Sequence, residues 1–129
     1  MSILKNLFGS SETEKPKTSN IDWIQLTDLG QLNEIQEFSS QKPVIIFKHS
    51  TTCSISRMAL KNFEREYDLN DKIDAYFLDL LNFRAISNEI ANKFEVVHQS
   101  PQLLLIKNGI SVYDVSHDSI DAEDLKSKI

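Results

Sequence analysis

Val44-Ile45-Ile46-Phe47-Lys48-His49-Ser50-Thr51-Thr52-Cys53-Ser54-Ile55-Ser56 is the stretch that decides the fold. Its first four residues are an unbroken apolar run rich in β-branched side chains, the pattern of a strand covered on both faces. The polar middle reads as a loop. A helix follows, because Ile55, Ala59, Phe63 and Tyr67 recur every four positions, joined by Leu60, as one apolar face.

The same strand-then-helix reading extends in both directions. Upstream, Ile21–Leu26 alternates loosely as a first strand. Thr27 or Asp28 is placed to cap a helix carrying Leu29, Leu32 and Ile35, which should end before Pro43. Downstream, Asp74–Asp79 reads as a buried strand. Asn82 is placed to cap a helix bearing Phe83, Ile86, Ile90 and Phe94, and Pro101–Ile106 is a further buried strand. Asn108-Gly109 is a tight-turn dipeptide leading into Ile110–Val115, a hairpin signature. Ser119 is placed to cap a last helix with Asp121 and Glu123 early and Lys126 and Lys128 late, the charge order a helix dipole favours. The order βαβαβαββα predicts an α/β fold, a mixed central sheet flanked by helices.

Residues 9–20 hold no large apolar side chain and cannot offset their ordering entropy by burial. Residues 1–20 are therefore expected to be a flexible N-terminal segment and 21–129 the folded domain. A chain of 129 residues has room for one ordinary domain. The net charge of -5 and the scattered lysines argue against nucleic acid as a partner. No apolar run is long enough to span a membrane, and the start lacks the features of a secretory leader. The single cysteine excludes an intrachain disulfide and a multi-cysteine metal site, so no metal is expected. A lone thiol suits a reducing compartment, which points to the cytoplasm.

Cys53 falls between a buried strand and the start of an amphipathic helix. The first amide N–H groups of a helix have no intrahelical partner, and together with the dipole they favour an anionic sulfur. Lys48 and His49 add nearby positive charge. A strand-end lysine is more often simply exposed, and a loop histidine simply solvated. Ser56 stands one turn on from the cysteine, where it could bond the sulfur or merely favour the helix start. The bland alternative for Cys53 is an inert core thiol; the polar residues around it argue for exposure instead.

Strand, loop cysteine, helix, and then Ser100-Pro101 before a hairpin resembles the layout of thioredoxin-like proteins. Phe47-Lys-His-Ser-Thr-Thr-Cys-Ser-Ile-Ser56 is similar to the loop of the monothiol bacilliredoxins of the bacillithiol system, over about residues 21–129. It differs in having Ser54, where the family pattern has proline after the cysteine. The resemblance implies a thioredoxin-like fold, with Cys53 as the attacking sulfur and Ser100-Pro101 as a cis-proline element that meets the substrate. Thr52 would shape the groove through its backbone, Ser56 would occupy the resolving-cysteine position, and Lys48 and His49 would support the site. The implied activity is thiol–disulfide exchange that removes bacillithiol, the co-substrate, from S-thiolated cytoplasmic client proteins. A second small thiol or a reductase would then regenerate Cys53. The competing class is a thioredoxin-fold binding module, either an iron–sulfur cluster carrier or a non-catalytic adaptor. The cluster carriers typically show C-G-F-S, and Ser54-Ile55 stands here in place of Gly-Phe.

Overall fold

The computed structural model describes residues 21–129; the expected flexible segment 1–20 lies outside the described residues. The elements run β1 (Trp23–Gln25), α1 (Gly30–Phe38), β2 (Val44–His49), α2 (Ser54–Glu66), β3 (Asp74–Asp79), α3 (Arg84–Lys93), β4 (Gln102–Lys107), β5 (Ile110–Ser116), a 3-10 turn (His117–Ser119) and α4 (Ala122–Lys126). This is the expected order. The five strands form one mixed sheet, β1-β3-β2-β4-β5. β2 pairs in parallel with β3, which pairs in parallel with β1. On its other side β2 runs antiparallel to β4, and β4 to β5.

Successive strand residues point to opposite faces, so the sheet builds two cores. Ile45 and Phe47 of β2, with Leu103 and Leu105 of β4, pack toward Ala59 and Phe63 of α2 and Leu125 of α4. Trp23 joins this side, its ring 5.9 Å from that of Phe47 and its Nε1 donating to Glu64 Oε2 at 2.6 Å. Val44, Ile46, Leu104 and Ile106 pack on the other face against Leu32 and Ile35 of α1 and Ile86 and Ile90 of α3. Asn108 and Gly109 both adopt positive φ, 53° and 79°. A two-residue turn that matches strand twist requires this of both positions.

The departures from expectation lie at element ends. α1 starts after Leu29, because the Asp28 carboxylate accepts from Gly30 N–H and the Gln31 amide oxygen reaches back to the N–H groups of Thr27 and Asp28. Leu29 is thereby left exposed. Asn82 caps nothing; its amide donates to Asp79 Oδ2 at 2.8 Å. Ser119 sits in the 3-10 turn, and Asp121 caps α4 instead, accepting from Glu123 N–H at 2.9 Å. Ile120, buried in the core between them, holds an extended conformation, which delays the helix. On α2 the inward positions are Ser56, Ala59 and Phe63, so Ile55 is exposed rather than part of the core face.

Leu105 is fully buried in the middle of β4. Leu105→Ala should lower unfolding free energy by about 2–5 kcal/mol, the range for truncating a well-packed core leucine, as read from the urea midpoint at constant m-value.

Candidate active site

Two loops meet because of strand direction. β2 and β4 are antiparallel and end together at the Lys48–Gln102 pair. The chain leaving β2 toward Cys53 and the chain entering β4 from Ser100-Pro101 therefore emerge at one edge of the sheet. The Pro101 carbonyl accepts from His117 N–H at 3.1 Å, which brings the end of β5 to the same edge. The Ser100–Pro101 peptide bond is cis. Pro101 is buried, Ser100 half-buried, and Thr52 exposed.

Cys53 is the N-cap residue of α2, with extended backbone angles (φ -103°, ψ 123°). Its N–H donates to the Ser50 carbonyl at 3.2 Å, and its carbonyl accepts from Arg57 N–H at 3.0 Å. The thiol is partly exposed, and its sulfur makes no capping hydrogen bond. The first turn of the helix carries no acidic residue. The unpaired amides at this helix start thus act on the sulfur without an opposing carboxylate in that turn.

Ser56 does not turn to the sulfur. It is fully buried, and its hydroxyl sits 3.0 Å from Ser50 N–H and 2.8 Å from His49 Nδ1. Both contacts are satisfied when Oγ accepts from Ser50 and donates to His49, which puts the imidazole proton on Nε2. His49 is itself buried, contrary to the expectation of a solvated loop residue. Burial pushes its pKa down; Asp79 and Glu64 oppose the shift and Arg57 adds to it. The three groups form a pin beneath the Ser50–Cys53 loop.

Lys48 overturns its reading as an exposed strand-end lysine. It has no exposed surface, and its Nζ lies 2.7 Å from His98 Nδ1. Burial lowers its pKa to about 8. Among the described residues no group of three or more His, Cys, Asp and Glu converges as a metal site.

Residues 24–125 match the family model of the monothiol bacilliredoxin BrxC. The chain belongs to the monothiol bacilliredoxin family. Among solved structures, a chain described as an oxidoreductase with a thioredoxin fold is 32% identical, covering 81% of this chain and 91% of its own at a TM-score of 0.70. A reduced thioredoxin pre-protein of Schistosoma mansoni is 27% identical, with coverage of 82% and 96% and a TM-score of 0.60. A Malassezia sympodialis thioredoxin at 19% identity and TM-score 0.64, covering 89% of this chain and 94% of its own, shares the fold. This bacilliredoxin-family chain is accordingly a thiol redox protein with a thioredoxin-like fold.

Three features of this bacilliredoxin escaped the sequence reading. A groove of about 350 Å³ runs beside the start of α2, between Ile55, Met58 and Ala59 on one side and His117, Asp118 and Ile120 on the other. The exposed pair Ile55 and Met58, three residues apart, was the local signal for it. His98 covers Lys48 from fifty residues away, a pairing with no local signal in the sequence. Asp79 Oδ1 is buried without a hydrogen-bond partner, while its Oδ2 accepts from Asn82.

Two outcomes follow from this geometry. Ser56→Ala leaves His49 Nδ1 and Ser50 N–H buried and unpaired, and should cost about 1–3 kcal/mol in urea unfolding. For Lys48 the folded pKa, about 8, lies below its ordinary 10.5, so between these values the unfolded chain binds more protons. Wild-type stability, referenced to Lys48→Met, should climb as the pH rises from about 8 toward 10.5.

Proposed function

We propose that this protein removes bacillithiol from S-thiolated cytoplasmic proteins, with Cys53 as the sole catalytic sulfur. The observation that carries the reading is a partly exposed cysteine at the N-cap of α2, in a chain of the monothiol bacilliredoxin family. The Cys53 thiolate attacks the bacillithiol sulfur of the client's mixed disulfide. A Cys53–S–S–bacillithiol bond forms, the client S–S bond breaks, and the client thiolate leaves and takes a proton from water. A second bacillithiol thiolate then attacks the adduct, releasing Cys53 and a bacillithiol disulfide for a reductase. The low-molecular-weight thiol is thus substrate in both steps, and one protein sulfur suffices.

Thr52, Ser100 and Pro101 are assigned to client binding, since their segments share the sheet edge with Cys53. His49 and Ser56 hold the loop from below, and Lys48 supports the facing segment. A cytoplasmic setting suits a protein whose work needs a free thiol. No helix among the described residues is long and apolar enough to cross a membrane.

The test is direct. Reduced protein is incubated with a bacillithiolated client, and both species are weighed by mass spectrometry. The client should lose one bacillithiol and the protein gain one on Cys53, while Cys53→Ala leaves the client at its uncatalysed rate. A glutathionylated client in parallel reads the choice of small thiol. Absence of any adduct on a fully reduced, folded protein would overturn the assignment.

A further inference from the structure

Beneath residues 97–100 lie two polar side chains without exposed surface, Lys48 and Gln102. They are cross-strand partners at the end of the β2–β4 ladder, and each reaches into the segment above. Lys48 Nζ meets His98 Nδ1 at 2.7 Å. Gln102 Nε2 donates to the Val97 carbonyl at 2.9 Å, and its Oε1 accepts from Gln99 N–H at 3.4 Å. No carboxylate pairs with Lys48 among the described residues. Burying an amine without a counter-charge is costly, and an apolar residue of similar length would fill the space at less cost. Packing alone therefore does not account for a lysine here; its bond to the segment does.

We propose that Lys48, acting through His98, is a positioning residue for client binding: with Gln102 it clamps residues 97–100 at the height from which Ser100 and Pro101 meet the client. The inference rests on the thiol-exchange reading above for what the segment binds, but the clamp can be measured without it. An ammonium has donors only, so His98 Nδ1 must accept, with its proton on Nε2. Protonated His98 would set two cations against each other and open the bond. The other groups facing His98 come from α3: Ser87 Oγ at 3.3 Å from Nδ1, and the Arg84 guanidinium. Burial first, then Lys48 and Arg84, push the His98 pKa down. His98 is open to solvent on its outer side, so protons reach it. The clamp is thus closed at neutral pH and released by acid.

Full-length wild type, Lys48→Met and His98→Gln are compared in two measurements. Amide hydrogen exchange at residues 97–100 should speed up about tenfold in both variants, with β2 and β3 unchanged, because local opening free energy and exchange are linked. With a bacillithiolated peptide as substrate, KM should rise about tenfold while kcat stays within about twofold, the pattern of lost binding rather than lost chemistry. In wild type KM should also rise on acidification, and this dependence should vanish in His98→Gln. Since His98 is a surface residue, that variant keeps the test open if Lys48→Met does not fold. Unchanged exchange in an active protein, or a fall in kcat at constant KM, would overturn the clamp alone. A folded wild type that leaves the peptide disulfide intact overturns the thiol-exchange reading, and with it the role given to the clamp.

Discussion

Antiparallel pairing of β2 with β4 is the constraint from which the site follows. It brings the end of one strand beside the start of the other, so Cys53 and Ser100-Pro101, far apart in sequence, leave the sheet at one edge. Parallel pairing with β3 adds a third segment there, since Leu80 N–H donates to the His49 carbonyl at 3.0 Å. A shift of one residue in either register would turn Phe47 and Ile45 away from α2 and α4 and put Lys48 in their place. The apolar identity of β2 and β4 thus does more than fill a core. It fixes which polar residues face each other where the strands end.

Arg57 is an exposed cation at that edge, its guanidinium donating to the Thr51 carbonyl at 3.2 Å. Burial lowers the basicity of both His49 and Lys48. Neither is a freely solvated cation beside the thiol. The start of α2, thirteen residues of aligned peptide dipoles, lies immediately after Cys53. The buried polar groups instead hold backbone: Ser56 holds the loop before the sulfur, and Lys48 and Gln102 hold the segment that leads into β4. Both are arrangements in which a side chain gives up solvent to restrain a main chain. Such groups restrain well only when each is paired.

The parts legible in the sequence were those set by local pattern. Asp74–Asp79 came through residue for residue, because an apolar run between polar ends is enough to define a strand in a covered sheet. Asn108-Gly109 announced its turn through backbone sterics alone. Cys53 could be placed at a helix start because the period of α2 begins beside it. The caps of α1, α3 and α4 were less legible, since several short polar side chains compete for the same few amides and tertiary packing decides among them. Ile120 illustrates this: its burial in the core, not the identity of Ser119, sets where α4 begins. Lys48 was the largest miss. Nothing near it in sequence indicates that His98 and Gln102 will close over it; that depends on a pairing made by a distant strand.

The bond network around Ser56 bears on how this scaffold could acquire a second sulfur. The position one turn after the cysteine is not a vacancy awaiting a thiol, for its hydroxyl already bridges a strand-end imidazole and a loop amide. A sulfhydryl there is a weaker donor and acceptor on a longer bond. Turning toward Cys53 would cost it both partners. A second sulfur at this position would thus exchange two hydrogen bonds for its reach toward Cys53.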